Sequence, residues 1–248
     1  MIRTALKVTV ALAALAAAGA AQAANDVAIG VPNWPSAKAG ATVLKTLAEQ
    51  EFGASVTLVP GTNPVIFKAM ADGDGDIDVH PEVWLPNQQS FVDEYADGVT
   101  LTDTMFQGEQ GYCMTESTKQ ELGITSMQDL ADPAVVDKLD SNGDGKGEIW
   151  IGASGWASVN VEKVKLREYG LAELYEPETI DETLAFARIS EKENKGEPYV
   201  FFCYSPHHIF IQYDLVMLEE PAYDESKWTM LQPDEDPQWF EKSSVATG

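Results

Sequence analysis

Two cysteines, three histidines and 16 basic residues leave this 248-residue chain little material for several kinds of chemistry. Cys113 and Cys203, far apart, make neither a dense disulfide scaffold nor the paired spacing of a zinc site. His80, His207 and His208 occur in no metal-binding helix motif, and the chain has no nucleophile elbow. Adjacent histidines on an extended segment point opposite ways, which disfavours joint ligation, so His207 and His208 are expected to line a pocket or cap a helix. Catalysis is not expected. Forty acids against 16 bases give a formal charge of −24, which argues against nucleic acid or an anionic membrane as partner. Such acidity suits a cationic ligand, and equally suits solubility alone.

An apolar run long enough to span a bilayer is missing too. The start instead has three short parts: basic Arg3 and Lys7, the small apolar run TVALAALAAAGA, and AQA at Ala21 to Ala23. That is the layout of a secretory signal, with cleavage expected after Ala23. No cysteine follows that site, so the mature chain is expected to be free in the periplasm, without a lipid anchor, as a monomer. Losing Arg3 and Lys7 brings its charge near −26. Its length suits one large domain or two small lobes, and in an oxidising compartment the two cysteines could pair. Sequence does not fix their geometry.

What is present is an alternation of strand and helix patterns. DVAIGVP is a β-rich run, and Pro35 and Ser36 open a helix through SAKAGATVLKTLAEQEF that Gly53 stops. SVTLVP, NPVIFKAMADG and DIDVH continue as strand, helix and strand, giving a doubly wound parallel α/β unit. Ligands of such sheets sit beyond the carboxyl ends of the strands, where PNWP, GTNP and HPEVW fall together. FQGEQGYCM reads as an extended crossing between lobes, which puts residues 24–107 in a first lobe and 108–248 in a second that begins to return to the first. The second half has helices over 117–138 broken at Pro133, the strand GEIWIGA, a helix starting just after Trp156, another over DETLAFARISEKENKG, and the buried strand YVFFCY.

Four aromatics follow predicted strands: Trp34, Trp84, Trp156 and Tyr204. Trp84, in DVHPEVWLPNQ, stands between two prolines, which forbid an ordinary helix or central strand and mount the ring on a stiff turn. A tetraalkylammonium group offers no hydrogen-bond donor, but an aromatic face attracts it, by ~0.5–1 kcal/mol when exposed and about 2 kcal/mol when desolvated. Four such rings on one edge predict a cation cage; the competing reading is that they are core. The free N–H groups of Ala157 and Ser158, at a helix start, would suit a carboxylate beside it. Glu82 could touch a cationic ligand, or be an ordinary solvated or capping acid. In DSNGDGKGE, Asp140, Asn142, Asp144, the Lys146 carbonyl and Glu148 match positions 1, 3, 5, 7 and 9 of a calcium loop, but Ile151 stands where the last carboxylate belongs. Either a structural calcium finds its final ligand elsewhere, or the segment is a tight turn. No other cofactor is expected. A calcium-dependent secreted enzyme or adhesive module is the rival built on this loop.

VPNWPSAKA, VPGTNPVIFKAM, DIDVHPEVWLPNQ, DSNGDGKGEIWIGASGW and VFFCYSPHH together resemble the periplasmic glycine betaine/proline betaine-binding proteins of ABC importers. That group also has choline- and trimethylamine N-oxide-binding members. The resemblance implies an α/β, two-lobed type II solute-binding fold that traps ligand by hinge closure and delivers it to a membrane permease. It places Trp84, Trp156 and Tyr204 in the aromatic cage, Tyr204 standing where some relatives have tryptophan. Gln88 falls where one branch has a carboxylate-holding histidine, Ala157 and Ser158 match the backbone donors, and Trp34 resembles a fourth ring. His208 is expected at the same pocket. Relatives continue beyond the position of Gly248, so the chain is expected to lack a closing C-terminal segment.

Overall fold

Two sheets organise the chain, each continuing one half of the pattern above. The computed structural model describes residues 26–103, 106–233 and 236–245, so the signal-like start lies outside the described residues. In the first half, β1 (Asp26–Val31) leads through α1 (Pro35–Phe52) to β2 (Ser55–Pro60), which pairs parallel to β1 with Ile29 opposite Leu58. Pro35 stands in the first turn of α1, where its missing N–H is not needed, and Gly53 ends the helix at φ 64°. Next come α2 (Asn63–Asp72) and α3 (Gln89–Glu94). The third strand expected over DIDVH shrinks to a single parallel bridge between Ile29 and Val79. Its side chain is the reason: the Asp78 carboxylate accepts the Ala28 N–H at 2.7 Å, and Pro81 has no N–H with which to extend a ladder.

The second half holds β3 (Glu109–Thr115), α4 (Glu116–Leu122), a 3-10 turn at Met127–Ala131, and α5 (Pro133–Leu139). It continues through β4 (Gly147–Trp150), α6 (Ala157–Glu168), β5 (Tyr175–Glu178), α7 (Glu182–Lys195), β6 (Val200–Ser205), α8 (Ile209–Gln212) and β7 (Leu215–Met217). The strands order as β5-β4-β6-β3-β7, with β4 parallel to its neighbours and β3 antiparallel to both of its own. Central β6 is buried from Val200 to Tyr204, which is why VFFCY lacks the alternation of a half-exposed strand. In the antiparallel register Cys113 faces Phe201 and Gly111 faces Cys203, so the cysteines lie diagonally on adjoining strands. They form a disulfide, with Cα atoms 5.7 Å apart. Finally β8 (Trp228–Thr229), α9 (Trp239–Lys242) and β9 (Ser244–Val245) form a small annex. Val245, Trp239 and Phe240 pack on Val161 and Val164 of α6, so the described tail rests on the second sheet's helices.

α6 carries an unusual burden for a helix beside a core. Glu162 is fully buried and Lys165 nearly so; Lys165 lies 3.3 Å from Glu162 and 2.8 Å from Glu220. A buried and a half-buried carboxylate share one ammonium, so ionising both leaves one negative charge uncompensated. Burial, with the nearby Glu220 and against the pull of Lys165, raises the Glu162 carboxyl to about 7. The unfolded chain releases this proton near pH 4.5 and the folded chain keeps it, so stability from this group falls as pH rises from 4.5 towards 7. Glu162→Gln should remove that decline. Unfolding midpoints of the two proteins at pH 5 and pH 7.5 check this: the variant should gain on the parent at the higher pH. An equal difference at both values would show that Glu162 does not titrate in that window.

Candidate functional site

Loops of the first half and strand ends of the second meet at one small cavity. Trp34 enters from the β1–α1 loop, Asn63 from the start of α2, and Trp84, Asn87 and Gln88 from the segment before α3. Across from them stand Gln110 of β3, Trp156, Ala157 and Ser158 at the start of α6, and Phe202 and Tyr204 of β6. The rings make walls set almost at right angles. Trp34 meets Trp156 at 6.1 Å, Trp84 meets Tyr204 at 5.6 Å, and Trp156 meets Tyr204 at 5.9 Å, each pair at 82° between planes. A larger cleft of about 610 Å³ lies beside β5 and α7, but half of its lining residues are charged and none is an indole.

Each ring of the box is tied at its polar edge. The Trp34 and Trp84 Nε1–H groups donate to the same Glu82 Oε1, at 2.9 and 2.6 Å, and Ser36 Oγ donates there at 2.8 Å. The Trp156 Nε1–H donates to Asn33 Oδ1 at 2.7 Å, and the Tyr204 hydroxyl donates to Glu182 Oε2 at 2.9 Å. Burial and the Glu182 carboxylate push the Tyr204 phenol well above its ordinary value, so it stays neutral. With their N–H and O–H groups satisfied, the rings line the cavity without a free polar hydrogen of their own. Gly108 leaves room for one of them: a Cβ there would come within 2.4 Å of Trp84 Cζ3.

Side-chain hydrogen bonds as well as ring contacts join the halves directly at this place. Asn87 and Gln110 exchange reciprocal side-chain hydrogen bonds of 2.8 and 3.0 Å, and the Trp156–Asn33 bond spans the same gap. At the rim, Gly155 sits so close to Thr62 that a Cβ would approach its Cγ2 to 2.7 Å. The first turn of α6 supplies Ala157 and Ser158, whose N–H groups have no intrahelical acceptor, and its first turn holds no acid to compete for them.

A family model for the substrate binding domain of ABC-type glycine betaine transport systems matches residues 25–247. The chain belongs to that family. A glycine betaine-binding periplasmic protein, OusX, of Dickeya dadantii is 26% identical over 100 residues, 40% of this chain and 30% of that protein. A glycine betaine/proline betaine-binding periplasmic protein of Salmonella typhimurium is 24% identical over 115 residues, 46% of this chain and 34% of that protein. These matches thus span about a third of the relatives' own length. Among solved structures, the glycine betaine/L-proline-binding protein ProX of Borrelia burgdorferi superposes with a TM-score of 0.67 at 24% identity, covering 79% of this chain and 69% of that one. Lactococcal OpuAC in its closed, glycine betaine-bound form gives 0.63 at 21% identity, covering 79% and 71%. The architecture is that of the two-lobed type II binding proteins.

Against this family frame, Trp34, Trp84, Trp156, Tyr204, Ala157, Ser158 and Gln88 all line the cavity. Two expected residues do not. His208 is exposed and begins α8, while its neighbour His207 turns inward, 4.9 Å from the Tyr204 ring and 3.1 Å from Glu182 Oε1. His207 Nδ1 accepts the Ile209 N–H at 3.3 Å, so it is the one that caps the helix. Glu82 is not among the lining residues, and its Oε1 is claimed by two indoles and the Ser36 hydroxyl. Asn63, Asn87, Gln110 and Phe202 are lining residues that pattern reading missed, because nothing in an isolated amide or core phenylalanine signals a cavity. In the 140–148 loop, Asp140 accepts the N–H groups of Gly143, Asp144 and Gly145, and Glu148 accepts that of Ser141. Asp140 and Glu148 thus brace the turn, and among the described residues no three or more His, Cys, Asp or Glu side chains are grouped as a metal site would need.

Proposed function

We propose that this protein is the periplasmic solute-capturing component of an ABC importer, and that it takes up glycine betaine or a related methylated ammonium osmolyte. The single observation that supports this most is the box of four rings contributed by both halves, each anchored by its polar edge and lining one cavity. Such faces attract a quaternary ammonium by about 2 kcal/mol each once water is excluded, and a few of them bring affinity into the micromolar range. In this reading Trp34 and Trp84 belong to one lobe, within residues 24–107, and Trp156 and Tyr204 to the other. Closure completes the cage, and the N–H groups of Ala157 and Ser158 take the anionic end of a zwitterion. The permease that receives the ligand would recognise the closed form, and no covalent step or cofactor is required.

Tryptophan fluorescence tests the proposal, since three of the rings are indoles. Glycine betaine, trimethylamine N-oxide and choline should each produce a saturable change, and proline should produce none. A folded protein that responds to no methylated ammonium compound would overturn the cage.

A further inference from the structure

Asn63 is 1% exposed and lines the cavity, yet its Nδ2 has no hydrogen-bond partner among the described residues. Which end of this amide is the donor follows from its neighbours. The Glu82 N–H donates to His80 Nδ1 at 3.2 Å, so Nδ1 bears the lone pair and the neutral ring carries its proton on Nε2. That Nε2–H lies 3.1 Å from Asn63 Oδ1, which must then be the acceptor. The ring is neutral because burial depresses its pKa to about 4. The chain of bonds from backbone to imidazole to amide leaves Nδ2 as a donor held in place for whatever enters the box. Phe67, fully buried and 5.2 Å from the His80 ring, packs the relay from behind.

A buried amide donor without an acceptor is costly, and a ligand oxygen that meets it removes the cost. We infer that Asn63 is the residue that selects ligands for oxygen: its Nδ2–H donates to the carboxylate or N-oxide oxygen of a methylated ammonium compound. The inference rests on the proposed function and deepens it. The rings recognise the cationic end of any such ligand, whereas Asn63 distinguishes those with an acceptor from a bare tetraalkylammonium. It also puts one oxygen contact on the first half, opposite the backbone donors of Ala157 and Ser158 on the second.

The test compares glycine betaine, trimethylamine N-oxide and tetramethylammonium on the parent protein, Asn63→Leu and Asn63→Asp. Leucine keeps the volume without a donor, and aspartate keeps the shape with acceptors only. Both variants should lose about tenfold or more in affinity for trimethylamine N-oxide and glycine betaine, the price of one good hydrogen bond. Binding of tetramethylammonium to the leucine variant should stay within about twofold of the parent, because the cation contacts the rings alone. Equal losses for all three compounds would make Asn63 merely structural, and unchanged binding of the two oxygen-bearing ligands would remove it from recognition. Either result overturns the inference while the cage stands. A parent protein that binds none of the three overturns the cage and this inference together.

Discussion

Replacing Trp156 with alanine is expected to weaken glycine betaine binding by well over tenfold. This ring touches Trp34 on one side and Tyr204 on the other, so its loss opens two corners of the box. The lost cation contact is worth about 2 kcal/mol in a desolvated site, already more than a tenfold change. Trp156 also packs on Trp150 and Phe202, and emptying a core position of that size costs 3–5 kcal/mol in stability. Trp156→Leu separates the two effects, because it fills most of the space without a π face. It should keep the fold, as read by circular dichroism, and still lose more than about tenfold in affinity. Trp239 is the control: it packs on the flank of α6 formed by Val161 and Val164, outside the cavity, and its replacement by leucine should leave affinity nearly unchanged. Equal losses at both positions would sink the assignment of the cage.

Removing the disulfide should produce a large loss of stability while leaving the cage residues untouched. The bond between Cys113 and Cys203 closes a separation of 90 residues. In the chain-entropy account a loop of that order restricts the unfolded ensemble enough to contribute about 4.6 kcal/mol. For a protein of this size that corresponds to roughly 9–18 °C in the unfolding midpoint. The double variant Cys113→Ala, Cys203→Ala should show such a drop without reductant, and the parent unfolded in dithiothreitol should fall to the same value. A drop under about 2 °C would mean that the bond does not constrain the unfolded chain. Ligand affinity well below the midpoint should change little. The strand ends that carry Gln110 and Tyr204 are also held by their own ladder and by the Tyr204–Glu182 hydrogen bond.

Much of this was legible from residue patterns, and the reason is local. Pro35 and Gly53 bound α1, Pro133 breaks the 117–138 helices, and the unalternating VFFCY marks a strand covered on both faces. Those signals act within a few residues, through fixed φ, a missing N–H or side-chain period, so no tertiary knowledge is needed to see them. DIDVH failed as a strand for an equally local cause that the pattern hides: Asp78 takes a backbone donor with its side chain. His208 is expected at the pocket from the pattern, but it is exposed, its ring 4.3 Å from that of His207, and it is His207 that meets Tyr204 and Glu182.

The chain by itself thus determined which rings gather at one edge, most of the helices and strands in their order, and the likeness of its motifs to betaine-binding proteins. Only the tertiary structure decided what holds those rings and what stands beside them. Glu82 is two positions from Trp84 but 48 from Trp34, yet one oxygen of its carboxylate fixes both indoles at once. Asn63 becomes a cavity donor only because His80, 17 residues on, occupies its oxygen. Cys113 meets Cys203 only because β3 and β6 are neighbours in a sheet whose order is not the order of the chain. Local geometry is written in short stretches, whereas the partners of a buried polar atom are set by which distant segments the fold brings within 3 Å of it.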